Sequence, residues 1–98
     1  MSKLSFTIYI AGMGTRNKAC IASFRKACAT ALPDGCYQID VIDIVRNPTA
    51  AEANKILATP TIIREKPVPQ RRTIGDFIEN SKAVLALNFL TEDVNNQL

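Results

Sequence analysis

The chain of 98 residues contains no histidine and no tryptophan. Without histidine it cannot form the Ser-His or Cys-His pairs of nucleophilic catalysis, and it lacks the commonest zinc ligand. It also contains no glycine-rich phosphate-binding loop of the kind that nucleotide-binding enzymes use. The sequence therefore predicts no catalytic residues, no metal site and no cofactor.

The cysteines offer little redox chemistry. Cys20, Cys28 and Cys36 are spaced by eight residues, which is neither a CxxC motif nor a zinc-binding spacing. On one helix, Cys20 and Cys28 would lie about 12 Å apart along the axis, too far for a disulfide bond. We expect buried, unreactive thiols in a reducing compartment.

Long apolar runs and charge clusters are also absent. The run from Phe6 to Ala11 is too short for a signal peptide or a membrane span. The net charge is only +3, and the adjacent basic pairs are limited to Arg25–Lys26 and Arg71–Arg72. These features predict a cytoplasmic protein that binds neither nucleic acid nor membranes. Its length fits one domain over residues 1–98.

Hydrophobic periodicity predicts seven elements in the order βαβαββα. The strands cover 6–11, 37–45, 61–65 and 70–74, the helices cover 17–32, 48–57 and 81–94, and residues 95–98 form a frayed tail. The nearly continuous apolar end of the second strand predicts burial on both faces. Asn47 is expected to cap the second helix. Ile21, Phe24 and Cys28 are expected to share the inner face of the first helix. Val84, Leu87, Leu90 and Val94, with Leu85 beside them, are expected to form the inner face of the third.

This order is that of an α/β, thioredoxin-like single domain with a right-handed crossover between the first two strands. In such a domain, a Thr-Pro before the third strand usually has a cis peptide bond, so Pro60 is the candidate cis-proline. A redox site would lie between Gly12 and Asn17, but this stretch contains no cysteine. A thiol oxidoreductase is therefore the weaker interpretation.

Several motifs resemble those of the KaiB clock-protein family. They are the stretches 8–12, 41–44 with 46–48, 55–61 (Lys-Ile-Leu-Ala-Thr-Pro-Thr) and 67–76, which contains a proline turn, two arginines and Ile-Gly-Asp. The resemblance implies a non-catalytic regulator that binds a KaiC-like ATPase and modulates its phosphorylation state. A SasA-like histidine kinase would compete for the same ATPase. It also implies a homo-oligomer, a dimer or tetramer, in the free state.

The resemblance further implies partner-binding residues. Lys55 matches a lysine implicated in contact with the ATPase ring, and Arg71 and Arg72 match the basic pair of the family. Asp40 stands where better-known members have lysine at a partner-facing position, which reverses the charge and counts against capture of KaiA.

The family alternates between a tetrameric ground state with a rearranged C-terminal half and the thioredoxin-like form, so the ground-state fold is the alternative architecture. Ala86, Leu87 and Asn88 fall in the fold-switch region, with Ala86 and Asn88 replacing glycine and aspartate. Alanine is better than glycine inside a helix by about 0.8–1 kcal/mol. We therefore expect a larger population of the thioredoxin-like state than in cyanobacterial members.

Two other functions stay open from the sequence. One is a thioredoxin-like stress-response protein that binds a partner other than KaiC, and the other is the thiol oxidoreductase. Binding to a KaiC homologue separates the first from the KaiB function, and an insulin-reduction assay tests the second.

Overall fold

The computed structural model describes residues 3–94, so the tail predicted at 95–98 lies outside the described residues. Within this range the order of elements is the predicted βαβαββα. The elements are β1 (Leu4–Ile10), α1 (Thr15–Ala31), β2 (Tyr37–Asp43), α2 (Pro48–Ala53), β3 (Thr61–Lys66), β4 (Arg71–Ile74) and α3 (Asn80–Thr91).

The strands form one mixed sheet in the order β2-β1-β3-β4. The two central strands are β1 and β3: β1 pairs in parallel with β2 and antiparallel with β3, and β4 pairs antiparallel with β3. The prediction that the end of β2 is covered on both faces is wrong. Residues 41–44 are only half-buried, because β2 is an edge strand and the central position belongs to β1.

The main core lies between one face of the sheet and the helices α1 and α3, which pack against each other. Phe6 of β1 and Phe24 of α1 meet edge to face, with ring centroids 5.3 Å apart. Both rings are fully buried. On the helix side, Ile21, Phe24 and Cys28 line the buried face of α1, as their spacing predicted.

The inner face of α3 differs from the prediction. Leu87, Leu90 and Val94 are buried, but Val84 is 39% exposed and Leu85 is 68% exposed. Each residue turns the helix by about 100°, so Val84 and Leu90 point roughly 120° apart. Buried Ala83 and Ala86 occupy the inner face in place of Val84.

The second helix is shorter than predicted. It ends at Ala53, and Lys55 then adopts a positive φ of 53°, which takes the chain out of the helical direction. Asn47 precedes the helix, but its side chain makes no capping hydrogen bond. The predicted side-chain cap is therefore wrong, and Asn47 instead accepts a backbone hydrogen bond at its carbonyl from Ala50.

In the described part of the chain, every helix is too short or too polar to cross a lipid bilayer.

Candidate partner-binding surfaces

Lys55 and Arg72 come together although they are 17 positions apart in the sequence. The Arg72 guanidinium, from β4, donates hydrogen bonds through Nη1 to the carbonyl oxygens of Asn54 (3.0 Å) and Lys55 (3.3 Å). These carbonyls follow the end of α2, where backbone acceptors have no partner in the helix. Arg72 thus fixes the segment that presents Lys55, and both cations lie on one surface.

An exposed leucine belongs to the same surface. Leu57 is 93% exposed and lies at the edge of a shallow depression of about 420 Å³. The depression is lined by Ala51, Glu52, Lys55, Ile56 and Leu57. Leu57 was missed by sequence reasoning because it was assigned to the second helix, where an apolar residue is expected to face the core. We call Lys55, Leu57 and Arg72 the Lys55 surface.

Arg71 does not join this surface. Its guanidinium lies 4.3 Å from the ring centroid of Phe89 and pairs with Glu92 (2.9 Å) and, at 3.5 Å, with Asp93. Successive side chains of a strand point to opposite faces, so Arg71 contacts α3 while Arg72 reaches α2. The two adjacent arginines therefore have separate surroundings.

Asp40 lies far across the sheet. It is an exposed residue of the edge strand β2, and its carboxylate accepts a hydrogen bond from Nε2 of Gln38 (3.2 Å). Since β2 and β4 form opposite edges, Asp40 belongs to a different surface from Arg72.

The predicted fold-switch residues lie in the middle of α3. Ala86 and Leu87 are buried against the core, and Asn88 is exposed. The peptide bond between Thr59 and Pro60 is cis, as are those before Pro67 and Pro69 in the turn between β3 and β4.

A buried arginine is the main feature that sequence reasoning missed. Arg64 of β3 is fully buried and donates to both carboxylate oxygens of Asp93, at 2.5 and 3.0 Å. It also donates to the carbonyls of Leu90 (2.9 Å) and Pro69 (2.6 Å), whereas its Nε has no partner among the described residues. Arg64 thus connects β3, the following turn and the end of α3.

This pairing changes the titration of Asp93. The hydrogen bonds from Arg64, together with the positive charges of Arg64 and Arg71, lower the pKa of the Asp93 carboxyl to about 2. No motif marked the pair in the sequence. Asp93 lies 29 positions from Arg64, and arginine is rarely buried unless it is paired.

The loop before α1 is where a thioredoxin has its redox site, and in this chain hydrogen bonds to the backbone hold that loop. Asn17 donates through Nδ2 to the carbonyls of Ala11 (3.1 Å) and Gly12 (2.8 Å), and the Gly12 amide donates to the Asp43 carboxylate (2.8 Å). The sequence placed no cysteine in this stretch. The side chains here hold the loop before α1 and supply no thiol.

The cysteines largely match their predicted environment. Cys20 and Cys28 are buried, whereas Cys36 is only half-buried, which departs from the expectation for all three. Burial raises the pKa of the Cys28 thiol to about 12, so it stays protonated at neutral pH. Among residues 3–94, no three Cys, Asp or Glu side chains form a cluster that could hold a metal ion.

Comparison with known proteins gives a family and a fold. A model of the KaiB domain matches residues 7–89. The circadian clock protein KaiB3 of Synechocystis sp. is 34% identical over 98 residues, which is 100% of this chain and 95% of that protein.

Two solved structures show a similar fold. The N-terminal domain of SasA from Synechococcus elongatus has a TM-score of 0.77 at 12% identity, covering 97% of this chain and 89% of that one. Chloroplastic thioredoxin z has a TM-score of 0.66 at 17% identity, covering 93% and 80%. At these identities the likeness concerns the fold alone. The fold is thioredoxin-like, as the order of elements predicted.

Proposed function

Since the chain belongs to the KaiB family, we propose that it is a non-catalytic regulator of a KaiB–KaiC type clock or timing system. In this proposal it binds a KaiC-like ATPase in the cytoplasm and modulates the phosphorylation state of that ATPase. It needs no cofactor, and it contacts neither nucleic acid nor membranes.

The observation that carries the proposal is the arrangement of the Lys55 surface. Lys55 lines the same shallow depression as the nearly fully exposed Leu57, and the second cation, Arg72, contacts the backbone of Lys55. A large apolar side chain in water is a typical anchor of a protein interface, and surrounding charges steer the encounter. The surface therefore suits an acidic protein partner with a small apolar pocket.

The Lys55 surface is also held in place before binding. The hydrogen bonds from Arg72 restrain the carbonyls of Asn54 and Lys55, so the segment loses less conformational freedom when a partner docks. A substitution at Arg72 would therefore remove both a charge and this restraint, whereas one at Lys55 would mainly remove a charge.

The test is size-exclusion chromatography and titration with the KaiC homologue of the same genome, in ATP and in ADP. We expect a complex whose dissociation constant rises about tenfold or more in K55E or in L57D. The matched control is K26E, because Lys26 is an exposed lysine of α1, away from the Lys55 surface.

The absence of binding in both nucleotides would reject the KaiC proposal and favour the stress-response alternative. Equal weakening by K55E and K26E would show that net charge, and not this surface, governs binding. The phosphorylation state of the ATPase, followed with and without the chain, tests the regulatory part separately.

The partner set extends to a SasA-like kinase. The likeness of the present fold to the N-terminal domain of SasA supports competition of the two for one site on the ATPase. In a mixture of kinase domain, ATPase and increasing amounts of this chain, we expect the kinase domain to be displaced. Simultaneous binding of both would contradict competition.

The protonated, buried thiol of Cys28 supports the non-catalytic part of the proposal. We expect no acceleration of insulin reduction by dithiothreitol beyond the rate without protein. Robust turnover would restore the thiol-oxidoreductase alternative.

A further inference from the structure

A bulge near the end of β3 changes the direction of one lysine. Ser5 of β1 pairs with Lys66 and Phe6 pairs with Arg64, so Glu65 has no partner opposite it. Side chains alternate along a regular strand, and without the extra residue Lys66 would face the core as Arg64 does. The bulge instead sets Lys66 beside Ser5 on the outer face of the sheet, which is the face away from α1 and α3.

The outer face has a shallow depression at this end of the sheet. Its volume is about 550 Å³, which is within the range of small-molecule sites. Ser5 pairs with Gln38 on one side and with Lys66 on the other, so the three residues form a row across β2, β1 and β3. The depression is lined by two lysines, two neutral polar residues and the start of the turn after β3: Lys3, Lys66, Ser5, Gln38, Pro67 and Val68. We call these six residues the Lys66 depression.

The Lys66 depression is positively charged. Lys3 and Lys66 are both exposed, and within residues 3–94 neither ammonium group belongs to an ion pair. The neighbouring carboxylates, Asp40 and Glu65, do not line the depression. Each of them accepts a hydrogen bond from a glutamine side chain, at 3.2 Å for Asp40 and 2.6 Å for Glu65. Two cations therefore share one concave site that no carboxylate lines.

The neutral groups of the depression suit a phosphate group. The Gln38 side-chain amide has two N–H groups, of which one donates to Asp40, and the Ser5 hydroxyl can donate a further hydrogen bond. A phosphate monoester carries nearly two negative charges at neutral pH and has three strongly accepting oxygens. The two ammonium groups match this charge, and the hydroxyl and amide can donate to the remaining lone pairs.

Val68 gives the depression an apolar wall. It is 79% exposed and follows the half-buried Pro67. An apolar wall beside two cations can cover the carbon part of a ligand, and removal of this surface from water adds affinity that exposed charges alone do not supply. The depression therefore favours an organic phosphate over inorganic phosphate.

We propose that the Lys66 depression binds a small organic phosphate monoester. Lys3 and Lys66 contact the phosphate, and the organic group packs against Pro67 and Val68. The depression shares no residue with the Lys55 surface, so this proposal does not depend on binding of an ATPase. Both cations are exposed, and added salt therefore weakens the binding.

The experiment is a titration of the nitrogen-15-labelled chain with phenyl phosphate at constant ionic strength, followed by two-dimensional NMR. We expect saturable shifts of the amide signals of Ser5 and Gln38, with a dissociation constant of about 1 mM or lower. In K66A this constant rises about three- to fivefold, because one of two exposed cations is lost. The matched control is K26A, since Lys26 is an exposed lysine of α1, on the other side of the sheet.

The apolar wall has a separate test. V68S keeps both cations and removes most of the exposed apolar side chain, so the affinity for phenyl phosphate falls towards that for inorganic phosphate. The affinity for inorganic phosphate itself stays unchanged. Far-UV circular dichroism verifies that each variant is folded, which is expected because the Lys66 and Val68 side chains are exposed.

Shifts that do not saturate, or equal effects of K66A and K26A, would overturn the proposal. Equal affinities of the wild type for phenyl phosphate and inorganic phosphate would also overturn it, since the proposed ligand is organic. Tighter binding of a short phosphotyrosine peptide would replace the small ligand by a phosphorylated protein segment. K66A leaves the Lys55 surface intact, so its binding to the KaiC homologue tests the proposed function independently.

Discussion

Both halves of the domain contribute to one apolar core, but the second half adds a buried ion pair that the first half lacks among the described residues. In the first half, β1 and α1 meet through apolar contacts such as the Phe6–Phe24 ring pair, with Cys20 and Cys28 beside it. In the second half, a charged residue, Arg64, is fully buried and is held by Asp93. Every ion pair within residues 3–94 includes at least one residue of the second half.

This difference predicts two kinds of sensitivity. Apolar packing responds to lost volume and is nearly independent of pH and salt over ordinary ranges. A buried ion pair responds to loss of one partner, because the remaining charge stays in a poorly solvating environment. Both halves should therefore be vulnerable to changes of shape, and the second half also to changes of charge.

The largest expected effect is on the packing of the first half. Phe24→Ala removes a fully buried ring and leaves a cavity beside Phe6, so the free energy of unfolding should fall by about 3–5 kcal/mol. Urea unfolding followed by circular dichroism measures it. Phe89→Ala is the matched control, since the Phe89 ring is 42% exposed. It should lower the free energy of unfolding much less.

Removal of the Asp93 charge should have the next largest effect. Asp93→Asn leaves the buried Arg64 guanidinium with neutral acceptors and no counter-ion, and it sets a donor NH2 group where a carboxylate oxygen accepted, so the melting temperature should fall by roughly 5–10 °C. Glu92→Gln, at the exposed neighbouring carboxylate, should change it little. Equal changes in the two variants would contradict the distinction between buried and exposed pairs.

The same pair predicts acid sensitivity. The pKa of Asp93 is about 2 in the folded protein, below the ordinary value of about 4 in an unfolded chain. The stabilisation is therefore complete above about pH 5 and is lost as the pH falls from about 4 towards 2. Thermal unfolding across this range should show a smaller acid-induced decrease for Asp93→Asn than for the wild type, since the variant has lost the titrating group.

The smallest effect concerns the helix propensity of α3. Ala86→Gly should lower the stability of this fold by about 1 kcal/mol or slightly more, because glycine loses more backbone freedom and the buried methyl group is lost. Ala22→Gly in α1 is the control, since Ala22 is exposed and reports propensity alone. An Ala86→Gly effect smaller than that of Ala22→Gly would contradict the packing of Ala86 against the core.

The order of elements, the core face of α1 and the resemblance to KaiB were predicted from the sequence and are confirmed. They depend on local periodicity and short motifs, which a single sequence carries. The position of β2 was predicted wrongly, because an apolar edge strand and an apolar central strand look alike until the partners are known. Val84 was wrongly assigned to the inner face of α3. Residues spaced by three turn about 300° around a helix, so each such step moves the side chain about 60° away from the starting direction.

The candidate site depended more on tertiary structure. Lys55 and Arg72 were proposed separately, and their contact requires the sheet to bring β4 beside the end of α2. The exposure of Leu57 was not predicted, because the helix was expected to continue to residue 57. In the structure the positive φ of Lys55 turns the chain away from the helix before Leu57. The Arg64–Asp93 pair could not be found from the sequence, since burial of an arginine is decided by what surrounds it.

The contacts of Arg64 also determine how the protein can be shortened. The last helix ends at Thr91, and a truncation designed from helix boundaries would stop there. Such a truncation would remove Asp93 and the buried Val94, leaving a guanidinium without its counter-ion and an uncovered patch of core. The functional end of the domain is therefore set by a charge beyond the helix, and tags or fusion partners belong after it.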